Sequence, residues 1–115
     1  MVDPSNVTPS LVFDYVRHED QRNFYPELTE TAIKILICKI LKGLDFSHSK
    51  GIIHRDIKPG NVLMSLRGSD GLPTATIVDW GLADFYYPGK RFNTRVASRY
   101  FKGPELLLGN NYYDY

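Results

Sequence analysis

Apolar residues follow a helical pattern between Thr29 and Lys50, the longest periodic stretch of the chain. They recur at spacings of three and four positions, which predicts one amphipathic helix. The residues of this stripe are Ile33, Ile37, Ile40, Leu41 and Leu44. Thr29 is suited to be the N-cap, and Lys50 and Gly51 supply a cation and a left-handed cap at the other end. We expect the helix to be covered on more than one side, because the stripe is widened by Ile35, Leu36 and Phe46.

Shorter apolar runs predict strands on both sides of this helix. Residues 10–16 are rich in strand-forming side chains and predict a buried strand. Residues 62–65 and 74–78 predict a hairpin, and the polar turn at 67–73 between them is expected to be exposed and mobile. The charged residues 19–25 predict a short surface helix that ends at the proline after them, with solvated charges.

Composition and charge exclude several classes of protein. The 115 residues are enough for about one small domain, and a net charge of +1 argues against a general nucleic-acid binder. No apolar run reaches the roughly 18 residues that span a membrane, and the first five residues do not resemble a signal peptide. The single cysteine, Cys38, cannot form an internal disulfide and is expected to be buried in the helix. We therefore expect a protein of the cytoplasm or nucleus.

The stretch from His54 to Asn61 carries the candidate chemistry. Asp56 can accept a proton, Lys58 places a point charge two residues later, and Asn61 offers a neutral oxygen to a metal ion. Phosphoryl transfer requires an oriented nucleophile, a cation beside the migrating group and a bound Mg²⁺. A polar turn after a helix is the alternative that the residues leave open. We interpret His54 as a structural histidine that braces the loop, because no tight Cys/His pair indicates a metal site.

Residues 54–61 resemble the catalytic loop of protein kinases, His-Arg-Asp followed by Asn five residues later. Lys58 and the proline after it are similar to the Ser/Thr kinases. The resemblance implies that Asp56 is the catalytic base, that Lys58 contacts the γ-phosphate and that Asn61 is a Mg²⁺ ligand. Asp79, in an Asp-Trp-Gly triplet where most kinases have Asp-Phe-Gly, is by the same resemblance the second Mg²⁺ ligand.

The resemblance also implies an ATP site. Phe13 would be the gatekeeper beside the adenine, and the backbone of Asp14 and Val16 would hydrogen-bond its edge. Leu63 and Val78 would form the apolar floor below the ring. The residues alone say nothing of adenine, and as plain strand residues they would look no different.

A narrower resemblance, to the catalytic subunits of casein kinase II, rests on Trp80 and on residues 95–105. These are acidophilic Ser/Thr kinases, and a regulatory subunit is a possible partner. The resemblance implies that Ser98 bonds Asp56 and Lys58. One short loop carries three cations, Arg95, Arg99 and Lys102. Cations clustered in this way favour acidic or phosphorylated groups on a protein substrate. An ordinary basic surface patch is the alternative.

The implied fold class is α+β, a partial protein-kinase-like fold from the hinge to the activation segment (residues 79–105). Residues 1–115 would be an incomplete kinase domain, without the Gly-rich loop, the strand lysine or the C-terminal helices, so we expect the isolated chain to be inactive. A non-catalytic fragment or pseudokinase that acts as a binding module is the alternative. A small-molecule phosphotransferase is disfavoured by the sequence of residues 58–59 and 103–105. We expect no activating phosphate opposite Arg55, because Ser98 is assigned to the catalytic centre and the segment around Thr94 resembles a constitutively active family. The other hydroxyls between Asp79 and Glu105 are those of Tyr86, Tyr87 and Tyr100.

Overall fold

The structure is a computed structural model that describes residues 10–115. Its α-helices are α1 (Gln21–Phe24), α2 (Glu30–Ser49) and α3 (Pro104–Leu107). Its strands are β1 (Ile52–Ile53), β2 (Val62–Ser65), β3 (Thr74–Ile77) and β4 (Asp84–Phe85). Single turns of 3-10 helix lie at Tyr25–Glu27, Pro59–Asn61, Trp80–Leu82 and Arg99–Phe101. Within this range β1 pairs with β4 and β2 with β3, both antiparallel, and this mixture is consistent with the predicted partial kinase-like α+β fold.

Helix α2 forms where the apolar periodicity predicts it. Thr29 is the N-cap, and its hydroxyl accepts a hydrogen bond from the Ala32 amide at 3.2 Å. Gly51 follows the helix with φ of +70°, the left-handed conformation expected of a glycine at this position. The cap residue, the apolar periodicity and the final glycine are local signals that predicted this element and both of its ends. Within the helix, Gly43 lies against β3, where an added Cβ would come within 3.3 Å of Cδ1 of Ile77.

One side of α2 is uncovered in the described part of the chain. Ile33, Ile37 and Leu41 are 45%, 51% and 59% exposed, whereas the buried residues of the helix are Ala32, Leu36 and Ser47. Within residues 10–115 the helix is therefore covered on one side only, and the expectation of further cover assumed the C-terminal helices of the kinase domain that the sequence resembles. Cys38 is exposed rather than buried, because it lies on the uncovered side. The sequence pattern showed an apolar stripe but not which of its residues the hairpin would cover.

Strands β2 and β3 form the predicted hairpin. Their register runs from Val62 opposite Ile77 to Ser65 opposite Thr74. Most of the turn at 67–73 is exposed, as expected. Asp70 in this turn accepts a hydrogen bond from the Leu72 amide at 3.0 Å and lies 3.9 Å from the ammonium of Lys39 on α2. The turn is thereby connected to the main helix.

Residues 10–16 do not form the predicted strand. Phe13 is 80% exposed, and no strand of the described residues pairs with this stretch. A strand needs a neighbour for its backbone donors and acceptors, which a run of β-forming residues does not itself provide.

The predicted surface helix is α1, but its flanking charges are not all solvated. Glu19 accepts hydrogen bonds from the Ser65 hydroxyl at 2.8 Å and from the Leu66 amide at 3.0 Å. The backbone amide of Glu19 donates to the carbonyl of Met64 at 2.9 Å. Glu19 therefore fastens the segment before α1 to the end of β2, and the expectation for its charge is wrong. Phe24, at the end of α1, is fully buried.

The sequence contains no apolar run long enough to predict a membrane span. Among the helices of residues 10–115, none is long and apolar enough to cross a membrane. The prediction made from the first five residues lies outside the described residues.

Candidate active site

The catalytic loop (residues 54–61) connects β1 to β2. Strand β1 pairs with β4, so that Ile53 lies opposite Asp84 and the start of the loop lies beside the activation segment. Arg55 adopts a left-handed backbone conformation, with φ of 68°, which is unfavourable for a residue with a side chain. Such a conformation persists only where neighbouring contacts hold it.

His54 braces the loop, as the sequence predicted. It is 1% exposed, with Nε2 3.0 Å from the carbonyl oxygen of Val78 and Nδ1 3.2 Å from the amide nitrogen of Asp56. A carbonyl only accepts and an amide only donates, so Nε2 carries the proton and Nδ1 is the acceptor. The ring also meets Trp80 edge-on, with centroids 4.6 Å apart. His54 thus connects the loop to the start of the activation segment.

Asp56 is the centre of the site and is 6% exposed. Its Oδ1 accepts hydrogen bonds from the Ser98 amide at 2.8 Å and the Ser98 hydroxyl at 3.0 Å. Its Oδ2 accepts from Nζ of Lys58 at 2.8 Å and from Nδ2 of Asn61 at 2.9 Å. Burial would raise the pKa of Asp56, but the bonds from Lys58, Ser98 and Asn61 outweigh it and hold the pKa below its usual value. Asp56 is therefore ionised at neutral pH.

One of the two predicted metal ligands, Asn61, contacts this carboxylate. Nδ2 of Asn61 bonds both the backbone oxygen and Oδ2 of Asp56 at 2.9 Å, which fixes the amide and directs its Oδ1 elsewhere. The Val78 amide donates to the Asn61 carbonyl at 2.9 Å. Asp79, the other predicted ligand, directly follows Val78 in the chain. Asp79 is exposed and left-handed, with φ of 61°. In the range 10–115 no cluster of three or more His, Cys, Asp and Glu side chains is suited to a metal ion.

The family model of the protein kinase domain matches residues 2–115. This chain belongs to the protein kinase family. The match supports a kinase, and hence a transferase, as the class of protein to which the chain belongs. Protein kinases generally use ATP and Mg²⁺. The amide oxygen of Asn61 and the exposed carboxylate of Asp79 are of the hard oxygen type that Mg²⁺ prefers.

The residues that the kinase resemblance assigned to adenine are not gathered into one pocket. Leu63 on β2 and Val78 after β3 are half-buried, but Phe13 and Asp14 are exposed. None of the hydrogen bonds within residues 10–115 connects Phe13, Asp14 or Val16 to Leu63 or Val78. A cleft of about 450 Å³ lies beside Leu63, between residues 18–24 and β2. Among the residues assigned to adenine, Leu63 lines this cleft, whereas Phe13, Asp14, Val16 and Val78 do not.

The three basic residues of the kinase activation segment differ in their contacts. Arg95 and Arg99 are exposed, and in the described structure neither guanidinium has a hydrogen bond or ion pair. Nζ of Lys102 instead donates to the backbone carbonyls of Val96 and Thr94. The first two are available to a substrate, and the third is occupied by its own loop.

Sequence reasoning missed Asp84. Its Oδ2 lies 3.3 Å from Nη1 of Arg55, whose Nε donates to the Leu82 carbonyl at 2.6 Å. Burial opposes ionisation, but Lys90, the Phe85 amide and Arg55 together hold the pKa of Asp84 below its usual value. From the sequence we considered only phosphorylated hydroxyl groups as sources of negative charge opposite Arg55. A signal was present, because Asp84 is the one carboxylate between residues 79 and 105.

Proposed function

We propose that the protein is a Ser/Thr kinase of the casein kinase II type. It transfers the γ-phosphoryl group of ATP, with Mg²⁺, to Ser or Thr near acidic residues of a protein. The observation that carries this proposal is the hydrogen-bonded set around Asp56, in which both carboxylate oxygens are held by Lys58, Asn61 and Ser98. A polar turn with no catalytic role would not need a nearly buried carboxylate that accepts four hydrogen bonds.

The geometry supports orientation of the substrate as the main work of Asp56. A carboxylate with a lowered pKa is a weak base, so it aligns the acceptor hydroxyl and takes its proton late in the transfer. Lys58 lies 2.6 Å from the Ser98 hydroxyl and 2.8 Å from Asp56, and its positive charge stabilises negative charge that develops beside them. Asn61 and Asp79 would hold Mg²⁺, which when bound offsets the charge of the phosphate oxygens.

Preference for acidic substrates is supported by Arg95 and Arg99. Both guanidinium groups are exposed, near Ser98 in the sequence, and guanidinium pairs well with carboxylate and phosphate. We expect the partners to be proteins with acidic residues near the acceptor and, by family resemblance, a regulatory subunit. We expect no membrane or direct nucleic-acid partner, and a location in the cytoplasm or nucleus.

The experiment compares Asp56→Asn with Asp79→Asn in a complete protein kinase domain that includes this chain. Asp56→Asn should lower kcat by roughly 100- to 10,000-fold, with the Kd for Mg²⁺-ATP nearly unchanged, because Asp56 aligns the hydroxyl. Asp79→Asn should weaken Mg²⁺-ATP binding by about tenfold or more, because a charged ligand is lost. Asp45→Asn, an exposed carboxylate of α2, is the control. Equal loss of nucleotide affinity in the first two variants would contradict the assignment.

A second candidate is a non-catalytic kinase fragment that acts as a binding module. The observation that favours it is the exposure of Phe13, 80%, which leaves the predicted gatekeeper unpacked. Calorimetry with Mg²⁺-ATP separates the two candidates, because the fragment would release no heat of binding and transfer no phosphate.

A further inference from the structure

Glu19 is bound to the end of strand β2 through both its backbone and its side chain. Its amide donates to the carbonyl of Met64 at 2.9 Å. Its side-chain oxygen Oε1 accepts from the Ser65 hydroxyl at 2.8 Å and from the Leu66 amide at 3.0 Å. Ser65 is 2% exposed, so its hydroxyl needs a partner within the protein. The two side-chain bonds span 46 and 47 positions, and they therefore decide where the segment around Glu19 lies on β2.

A second anchor lies at the other end of β2. Nε2 of Gln21 donates to the carbonyl of Pro59 at 2.8 Å. Pro59 belongs to the 3-10 turn that precedes β2, and the same carbonyl accepts a hydrogen bond from the Val62 amide. Residues 19–21 therefore contact the chain both before β2 and at its end, and they hold the segment 18–24 along the strand.

The segment 18–24 and strand β2 are two walls of the cleft of about 450 Å³. Leu63, which is assigned to the floor below adenine, lines this cleft and directly precedes Met64, the residue whose carbonyl binds the Glu19 amide. Val16, whose backbone is assigned to the edge of adenine, is three residues before Glu19 in the chain. The anchor at Glu19 thus fixes the point at which the chain that comes from Val16 meets the strand of the floor.

We propose that Glu19 is a positioning residue, which holds the segment 18–24 on β2 and thereby sets the affinity of the cleft for nucleotide. This role rests on the proposed kinase function. If the segment is loosened, only a fraction of the molecules has both walls in the binding geometry, and the Kd rises by the inverse of that fraction. The transfer step should be spared, because the hydrogen bonds that hold the carboxylate of Asp56 come from residues other than 64–66.

The first test measures the Kd of Mg²⁺-ATP by calorimetry in a complete protein kinase domain that includes this chain. Glu19→Met removes the acceptor at similar length, whereas Glu19→Gln keeps an oxygen that can accept both bonds. The Kd should rise about tenfold in Glu19→Met, as it does when the binding-competent fraction falls to about a tenth, and should stay close to the wild-type value in Glu19→Gln. Glu27→Met, at an exposed glutamate, is the control and should bind as the wild type does. Equal Kd values for Glu19→Met and the wild type would overturn the proposal.

The second test uses peptide kinetics to separate positioning from a general loss of structure. At saturating ATP, Glu19→Met should keep its kcat and its KM for peptide within about twofold of the wild type, because only nucleotide binding is affected. A large fall in kcat with an unchanged Kd for nucleotide would refute the positioning role. If the wild type itself binds no nucleotide, the proposed function fails and this role fails with it. A wild type that binds nucleotide no better than Glu19→Met refutes the positioning role alone.

The wild-type protein provides a measurement that does not depend on a variant that folds. If nucleotide binding requires the bonds of Glu19, bound nucleotide must in turn stabilise those bonds. A non-hydrolysable Mg²⁺-ATP analogue at about 100 times its Kd should therefore slow hydrogen exchange of the Leu66 amide, which donates to Glu19, by up to about 100-fold. The Leu72 amide, which donates to Asp70 in the exposed turn, is the control and should exchange at the same rate with and without the analogue. Exchange of the Leu66 amide that saturating nucleotide leaves unchanged would contradict the proposal.

Discussion

Replacement of Asp84 by asparagine removes the carboxylate that lies 3.3 Å from the guanidinium of Arg55 while it keeps the shape of the side chain. The Arg55 side chain is 12% exposed and that of Asp84 is 33% exposed, so the pair is shielded from water on one side. Arg55 directly precedes Asp56 in the catalytic loop. An unpaired charge at this position should disturb both the stability of the fold and the geometry of the site.

The size of the effect follows from the geometry of the pair. Two unit charges 3.3 Å apart attract by about 5 kcal/mol at an effective dielectric constant of ~20, and the desolvation of both ions offsets much of this. Loss of one partner costs about 3–5 kcal/mol in fully buried pairs and at most about 1 kcal/mol in exposed ones. The half-shielded pair lies between these limits, and Arg55 keeps its bond to the Leu82 carbonyl. We therefore expect Asp84→Asn to lower the free energy of unfolding by about 2 kcal/mol, roughly a 30-fold shift in the folding equilibrium.

Urea unfolding of the full-length protein measures this difference, with Asp45→Asn as the exposed control. The pKa of Asp84 is lowered in the fold, so its contribution is present above the unfolded pKa of about 4 and is lost as the pH falls through the folded value. The difference between wild type and Asp84→Asn should shrink in that acid range. Equal stability of the two proteins at neutral pH would refute this account of the pair.

The Arg55–Asp84 ion pair also leads to a prediction about activation by phosphorylation. Because Asp84 already neutralises Arg55, phosphatase treatment of the wild-type enzyme should leave its kcat unchanged, whereas Asp84→Asn should reduce kcat. Activity that disappears after phosphatase treatment would show that Arg55 needs a phosphate after all.

Two further predictions concern exposed side chains. Leu41→Lys combined with Ile37→Lys should reduce self-association of the 115-residue chain, because both residues belong to the uncovered apolar side of α2. Light scattering that gives the same mass for the wild type and the double variant would contradict this. Reversal of charge at Arg95 and Arg99 should raise KM for acidic peptides far more than for neutral ones, and added salt should weaken the wild-type preference, as peptide kinetics at two ionic strengths would show.

The elements that the sequence predicted well are those with local signals. Helix α2 has its cap, its periodicity and its terminal glycine within one stretch, and the β2–β3 hairpin has its two strands and turn within residues 62–77. Asp56, Lys58 and Asn61 lie within six positions, so the loop itself brings them together. In each case the interaction spans few residues, and the pattern of side chains is enough to indicate it.

The elements that the sequence predicted badly depend on distant neighbours. Residues 10–16 have the composition of a strand, but composition does not supply a pairing edge. Cys38 lies on an apolar helix, but which side of that helix is covered depends on where β3 packs. The contact of Ser98 with Asp56 spans 42 positions and was expected only from the family resemblance.

Three consecutive residues of the catalytic loop, 54–56, each hold a different point of the segment that follows the hairpin. In chain order they bond Val78, Asp84 and Ser98, so this segment is held at its start and at two further points along it. A shift of the segment at any of these points should therefore strain the loop, which contains the candidate catalytic residue Asp56. Asp84→Asn loosens one of these points. It should lower kcat while nucleotide affinity persists, because it leaves Asp79 unchanged.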